Sequence, residues 1–141
     1  TIRARQAFAI WDWGQVVVRD TTITTEDDAF SVGRQGRLTL QGVHLTSRGG
    51  RGVVLARSGS LSATNTTIVA STCGVEAVEQ GFAELHHSDV RGGSAPGVRL
   101  SGYGHVSTAQ GRIEGMPALE ARGNVRLRID PATAMVDRDA P

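Results

Sequence analysis

A glycine recurs at nearly constant spacing along this chain, and the residues around it recur with it. The steps between successive members of the set are 22, 23, 22, 23 and 19 residues. The set comprises Gly14, Gly36, Gly59, Gly81, Gly104 and Gly123. A fixed period of roughly 20 to 50 residues is typical of proteins whose structural units stack on one another in a row.

Aliphatic residues occupy fixed positions relative to each glycine. Four residues before it stand Ile10, Val32, Leu55, Ala77, Leu100 and Leu119. Two residues after it stand Val16, Leu38, Leu61, Ala83, Val106 and Val125, and nine after it stand Ile23, Leu45, Ile68, Val90 and Ile113. Polar residues alternate with these positions, which indicates short β-strands, and no segment carries a sustained helical period.

These patterns predict an all-β fold, a parallel β-helix (solenoid) of about six coils of 22–23 residues. Each coil contains about three short strands, and the next coil covers its apolar inner edge. We assign residues 1–129 to the coils and residues 130–141 to a C-terminal tail or cap. The opening "TIRARQAFAI" enters in the middle of a coil. We therefore expect the chain to be capped by the rest of a longer chain or by another chain, or to associate end to end.

The repeat "G-small-aliphatic … Asn-x-x-Ile", seen at Gly59 and Asn65, resembles the right-handed parallel β-helix repeats of the pectate-lyase-like superfamily. That superfamily includes polysaccharide lyases and hydrolases, epimerases, tailspikes and adhesins of the autotransporter passenger type. The resemblance implies a right-handed, single-stranded helix and a polar column at one tight turn. That column would contain Asp20, Gly42, Asn65, His87 and Gln110.

Charge and composition exclude several functions. Lys and Arg total 15 and Asp and Glu total 14, for a net charge of +1. This balance gives no reason to expect nucleic-acid binding, and no apolar run approaches the ~18 residues of a membrane span. The single cysteine, Cys73, has no disulfide partner, so we expect it to be structural. No cofactor or metal site is predicted, because the four histidines fall in different columns. They are His44, His86, His87 and His105.

One acidic segment suggests catalysis. "VVVRDTTITTEDDAFSVG" is similar to the polygalacturonase segment in which an Asp pair precedes a β-helix strand, and Asp27 and Asp28 would occupy that pair. Such enzymes use separated carboxylates as acid and base. Gly50-Arg51-Gly52 stands where that family has Gly-His-Gly.

Two other interpretations of the segment remain open. A calcium-dependent lyase would use Asp20, Glu26, Asp27 and Asp28 as oxygen ligands and Arg51 as the basic residue. Alternatively, Glu26-Asp27-Asp28 is a solubilising turn between coils.

Surface columns suggest two further features. The residues two positions before each repeat glycine would form one column on the surface. This column predicts ion pairs between Asp12 and Arg34 and between Arg57 and Glu79, whose members lie one coil apart. The aromatic residues Trp11, Trp13 and Tyr103 fall on or beside the outward part of one sheet, where they would stack on sugar rings. Alternatively, Trp11 and Trp13 cover the open first coil.

The leading hypothesis is a non-catalytic, rigid β-helical segment of a secreted or cell-surface protein. It would serve as a stalk or as an adhesive binding surface, with a carbohydrate or protein partner at the flat sheet face. The first alternative is a polysaccharide hydrolase or lyase that uses Asp27, Asp28 and Arg51. The second is a self-assembling, coil-to-coil structural module. The uncapped opening coil leads us to expect that the chain is a fragment, and truncation would also explain the absence of an export signal.

Overall fold

The computed structural model describes residues 2–4 and 8–138, and within these ranges every regular element is a β-strand. The strands are β1 (Ile2–Ala4), β2 (Phe8–Ile10), β3 (Gln15–Arg19), β4 (Thr22–Thr25), β5 (Phe30–Val32), β6 (Arg37–Gln41), β7 (His44–Ser47), β8 (Val53–Leu55), β9 (Ser60–Thr64), β10 (Thr67–Ala70), β11 (Val75–Ala77), β12 (Phe82–Arg91), β13 (Val98–Leu100), β14 (His105–Gly115), β15 (Leu119–Ala121), β16 (Arg126–Arg128) and β17 (Ala134–Asp137). No helix in these ranges could cross a membrane. Parts of the opening segment and of the expected tail, residues 1, 5–7 and 139–141, lie outside the described residues.

The strands stack in parallel to form the predicted solenoid of about six coils. The short strands β2, β5, β8, β11, β13 and β15 form a six-stranded sheet, called here the short sheet. The other strands form an eleven-stranded sheet that bends at a corner. Its first leg contains β3, β6, β9, the first halves of β12 and β14, and β16; its second leg contains β1, β4, β7, β10, the second halves of β12 and β14, and β17.

The strand register confirms the aliphatic columns predicted for the first five coils. Val32 pairs with Leu55, Leu38 with Leu61, and Ile23 with Leu45, each one repeat apart. These side chains point inward and are almost completely buried. The core is therefore a set of aliphatic stacks that run along the solenoid axis, which explains how a chain with few aromatic residues buries a core.

The register corrects the alignment of the sixth coil. Leu100 pairs with Ala121 rather than with Leu119, and Val106 pairs with Leu127 rather than with Val125. The sixth coil therefore follows the fifth at a spacing of 21 residues. The sequence alignment was counted from Gly123, which assumed a spacing of 19, and was wrong by two residues. A shift of two leaves the inward and outward alternation unchanged, so the sequence pattern could not reveal it.

The coils extend beyond residue 129, where the sequence analysis placed the start of a tail. Strand β17 pairs with β14 in the register of the preceding coils, and Met135 lies opposite Ile113. The hydroxyl of Thr133 in this last coil lies 2.8 Å from that of Thr108 in the preceding coil. The predicted cap is, over Ala134–Asp137, a further strand of the second leg.

The repeat glycines are explained by a close approach between coils. A Cβ on Gly59 would lie 2.4 Å from the carbonyl oxygen of Val32, one coil earlier. The same contact would be 2.5–2.7 Å for the three other repeat glycines that face an earlier coil, Gly36, Gly81 and Gly104. In the sixth coil Val125 occupies this position, and Gly123 lies instead in a turn with φ of +73°.

The corner between the two legs is the tight turn implied by the resemblance. All five predicted column residues have a left-handed backbone, with φ between +48° and +63°; they are Asp20, Gly42, Asn65, His87 and Gln110. Backbone N–H groups of Asp20, Gly42 and Asn65 donate to the carbonyl oxygens of Gln41, Thr64 and His86 in the next coil. Because the main chain stabilises this corner, the side chains there are free to vary, and no asparagine ladder is needed.

Candidate functional site

Asp28 and Arg51 form a tightly hydrogen-bonded ion pair on the edge of the short sheet. Asp28 lies two residues before β5 and Arg51 lies two residues before β8, so the two occupy the same position in successive coils. The backbone N–H of Arg51 donates to Asp28 Oδ1 at 2.7 Å, and Arg51 Nη2 donates to Oδ2 at 2.7 Å. Arg51 Nε lies 3.2–3.3 Å from both carboxylate oxygens. The guanidinium therefore holds the carboxylate in a fixed orientation.

This pairing sets the protonation of both groups. Burial alone would raise the pKa of the Asp28 carboxyl, but the hydrogen bonds and charge of Arg51 outweigh burial and lower it. The pKa of Arg51 is raised, chiefly by its hydrogen bond to Asp28. A general acid needs a raised carboxyl pKa, and a base needs an unprotonated form near neutral pH. The lowered pKa does not suit Asp28 to the role of general acid, and both of its carboxylate oxygens already accept hydrogen bonds from Arg51.

The pair belongs to a longer series of charges, called here the charge ladder. Its members alternate in sign over five coils, as Asp28, Arg51, Glu76, Arg99 and Glu120, and Arg122 joins Glu120 in the last of these coils. Arg51 Nη1 donates to Glu76 Oε1 at 2.8 Å, and Arg99 Nη1 reaches Glu76 Oε2 at 3.5 Å. Glu120 lies 3.8 Å from Arg99 Nε and 2.8 Å from Arg122 Nε, the latter an ion pair without hydrogen-bond geometry. The ladder joins five successive coils.

The rest of the acidic segment forms a turn. The carbonyl oxygen of Asp27 accepts hydrogen bonds from the buried hydroxyls of Thr25 and Ser47, at 2.8 and 2.7 Å, while Asp27 itself is exposed. Glu26 lies 3.9 Å from Arg48, and both are exposed. Asp20, the fourth calcium ligand considered, lies at the corner between the legs and not in this turn. The catalytic and calcium-binding roles stay predictions, and this geometry does not favour them.

Among residues 2–4 and 8–138, no three His, Cys, Asp or Glu side chains lie close enough together to hold a metal ion. His86 Nε2 lies 2.8 Å from Glu84 Oε1 on the same strand. The thiol of Cys73 is buried and lies 3.2 Å from the carbonyl oxygen of Val75. Burial raises the pKa of this thiol to about 12, so it stays protonated and unreactive.

The two ion pairs predicted from the surface column are present. Arg34 Nη1 lies 3.5 Å from Asp12 Oδ1, and Arg57 Nε lies 3.6 Å from Glu79 Oε2. All four side chains are more than half exposed, so each pair contributes little to stability.

The three aromatic residues predicted to bind sugar have different environments. Trp11 packs on Gly33, where a Cβ would lie 2.6 Å from its ring, and the guanidinium of Arg34 lies 5.7 Å from the ring centroid. Trp13 and Tyr103 project from turns just before the first leg and are 68% and 64% exposed. Gln35, Ser58 and Gln80 lie between them in the same column, as the adjoining strand register shows. Trp11 thus packs on the neighbouring coil although it is 44% exposed, whereas Trp13 and Tyr103 project further into solvent, and sugar contact stays a prediction for all three.

Tyr103 lines a shallow depression that we call the aromatic cradle. The cradle has a volume of about 280 Å³ and is lined by Gln80, Phe82, Tyr103, His105 and Arg126. The rings of Phe82 and His105 meet edge to face, with centroids 4.5 Å apart. A second depression of about 300 Å³ adjoins it, lined by Tyr103, Asn124, Val125 and Arg126.

The outward surface of the first leg continues the cradle, and we call this surface the trough face. A third depression, of about 310 Å³, lies on it and shares Phe82 with the cradle. Its other residues are Arg37, Leu38, Thr39, Ser60, Leu61, Ser62 and Glu84. A fourth depression, of about 450 Å³, lies at the corner above Gly42, beside Asp20 and Asn65. None of these four depressions includes Asp27, Asp28 or Arg51.

Sequence reasoning missed Phe82, His105 and Arg126. Phe82 pairs with His105, and His105 pairs with Arg126, so the three occupy one column. The signal was the position directly after each repeat glycine, which contains Phe82 and His105. Arg126 occupies the equivalent position in the sixth coil, but the sequence alignment of that coil was wrong by two residues and did not place it there.

No protein-family model, curated protein or solved structure matches this chain. The likeness to the pectate-lyase-like superfamily therefore rests on the repeat pattern, and the structure shows the architecture that this pattern predicts.

Proposed function

We propose that this chain is a rigid β-helical segment of a secreted or cell-surface protein and that its trough face binds carbohydrate. The observation that carries the proposal is the aromatic cradle, where an exposed Tyr103 lies beside Phe82 and His105 in a shallow, open depression. Its open shape suits an extended chain that lies along the surface.

Rigidity follows from the way the coils are connected. Every coil is hydrogen-bonded to its neighbours through parallel strands in both sheets. The charge ladder adds side-chain pairs between successive coils on the short sheet. A solenoid of this kind resists bending because bending breaks contacts in several columns at once. Such a segment holds its surface residues at fixed spacing.

The chemistry of the trough face suits sugar rings. Aromatic rings provide apolar faces for the C–H surface of a sugar. Hydroxyl and amide side chains next to the rings provide donors and acceptors; they are Thr39, Ser60, Ser62 and Gln80. The small side chains leave the face shallow, so a chain can lie across several coils.

An enzymatic function at Asp27, Asp28 and Arg51 has less support. Arg51 is held between Asp28 and Glu76, and hydrogen bonding to Arg51 lowers the pKa of Asp28. A hydrolase of the type considered needs one carboxyl with a raised pKa and a second at a separation that admits water.

The test is a panel of polysaccharides assayed for both binding and turnover. We expect at least one glycan to bind without release of reducing ends or unsaturated products. Tyr103→Ala should weaken that binding about tenfold or more, whereas Thr67→Ala, on the second leg, should leave it unchanged. Failure of every glycan to bind would refute the proposal. Turnover that disappears in Asp28→Asn would establish the enzymatic alternative in its place.

A further inference from the structure

The charges of this protein are distributed unevenly among its faces. The outward strand positions of the trough face include four arginines and one glutamate, a formal charge of +3, although the whole chain carries only +1. The charged residues are Arg19, Arg37, Arg126, Arg128 and Glu84. By contrast, the charge ladder beside the short sheet contains equal numbers of arginines and acidic residues.

None of these four guanidinium groups has a carboxylate partner among the described residues. No ion pair there involves Arg37, Arg126 or Arg128, and Arg19 only donates a hydrogen bond to the side-chain oxygen of Gln41 at 2.9 Å. The one carboxylate on the face, that of Glu84, lies 2.8 Å from His86. Most arginines described elsewhere are neutralised, as Arg51 is by Asp28 and Glu76 and Arg112 is by Glu114. Unpaired cations that cluster on one face attract an anionic ligand.

Arg126 and Arg128 lie at and next to the aromatic cradle, and Arg37 lines the adjoining third depression. Arg126 lines the cradle and pairs across strands with His105, and Arg128 follows two residues later on the same face of β16. The pKa of His105 is lowered chiefly by burial, and the nearby positive charges of Arg126 and Arg128 lower it further. All 15 basic residues of this chain are arginines, whose planar forks match carboxylate and sulfate groups.

We propose that the trough face binds an acidic polysaccharide whose carboxylate or sulfate groups pair with Arg37, Arg126 and Arg128 while its rings contact Phe82 and Tyr103. This inference rests on the proposed function and names its ligand class. Arg37 and Arg126 occupy the same row, four coils apart, so roughly 19 Å separates them at ~4.8 Å per coil. A single sugar cannot span that distance, and an oligosaccharide can.

The test measures binding of polygalacturonate, a sulfated galactan and neutral dextran to the intact chain. We expect one or both acidic polymers to bind, dextran to bind at least tenfold more weakly, and affinity to fall as salt rises. Oligosaccharides should bind more tightly as they lengthen toward the Arg37–Arg126 span. Comparison of the two acidic polymers identifies which anion is preferred.

Matched variants locate the binding surface. Arg126→Gln combined with Arg128→Gln should weaken acidic-polymer binding about tenfold, and Arg37→Gln should weaken it several-fold. Arg91→Gln removes an equally exposed, unpaired arginine from the second leg and should change binding less than twofold. Unchanged melting curves for these surface variants would show that folding is intact.

The outcomes separate this inference from the proposed function. If dextran binds as tightly as the acidic polymers and only Tyr103→Ala weakens binding, the face binds carbohydrate but the acidic ligand is wrong. If the arginine variants have no more effect than Arg91→Gln, the assigned residues are wrong. If no glycan binds, both proposals fail.

Discussion

Arg51 binds the carboxylate of Asp28 through its backbone N–H and its guanidinium, with two contacts of 2.7 Å, and donates its remaining Nη1 to Glu76 at 2.8 Å. Two residues that the sequence suggested for catalysis thus connect three coils of the solenoid.

Asp28→Asn should destabilise the protein by about 1 kcal/mol, because the amide replaces a charged acceptor in a partly buried, hydrogen-bonded pair. Urea unfolding measures the change. Glu26→Gln is the matched control: Glu26 lies 3.9 Å from an exposed Arg48, so this variant should change stability by less than about 0.5 kcal/mol. Equal effects of the two variants would contradict the role assigned to the charge ladder.

The Asp28 pair should also contribute to stability in a defined pH window. The folded-state pKa of Asp28 lies below its ordinary value of 3.8. The contribution is therefore complete above pH 3.8 and is lost as the pH falls through the lower, folded-state pKa. Unfolding measured from pH 6 to pH 2 should show a shallower acid loss of stability in Asp28→Asn than in the unaltered protein. Parallel curves would refute the assignment.

Gly59→Ala should be strongly destabilising, by about 2 kcal/mol or more, since its Cβ would lie 2.4 Å from a backbone carbonyl oxygen that cannot move independently. Gly123→Asn provides the comparison. Gly123 has nothing within 4 Å of its would-be Cβ, and its left-handed φ is tolerated by asparagine. Thermal melts should separate the two variants clearly, and equal melting temperatures would contradict the close-approach explanation of the repeat.

Trp11 and Trp13 should differ in their contribution to stability. Trp11→Ala removes a ring that covers Gly33 and contacts Arg34, so we expect a loss of about 1 kcal/mol. Trp13→Ala should change stability by less than about 0.5 kcal/mol, because Trp13 is 68% exposed. Urea unfolding tests this difference, and acrylamide should quench the fluorescence of Trp13 more strongly. The reverse order of either result would show that the packing assigned to Trp11 is wrong.

Arg126→Gln should raise the pKa of His105 toward its ordinary value of 6.5, because one of the two neighbouring positive charges is removed. The other charged groups near His105 are Glu84 on β12 and Arg128 on β16. Two-dimensional NMR of the imidazole nitrogens measures the titration. Arg91→Gln, on the second leg, should leave the His105 titration unchanged. An unchanged pKa in Arg126→Gln would contradict the positive potential on which the acidic ligand depends.

The architecture was predictable because it is a local property repeated six times. Glycine spacing and period-2 alternation are visible in the sequence, and they predicted both the coils and the columns that contain Val32–Leu55 and Ile23–Leu45. The Asp12–Arg34 and Arg57–Glu79 pairs followed from the same register. The sixth coil was misaligned because its glycine lies in a turn, and the close-approach position is taken by Val125.

The sequence by itself therefore determined the fold class, the coil length and the inward columns, since stacking at a constant repeat places equivalent residues in contact. Beyond the Asp12–Arg34 and Arg57–Glu79 pairs, only the tertiary structure decided what the polar residues do. It joined Asp28, Arg51 and Glu76 into one hydrogen-bonded series, and it placed Phe82, Tyr103 and Arg126 around one depression. Contacts between residues of different columns, and the shape of a surface, depend on side-chain directions, and sequence spacing does not specify these.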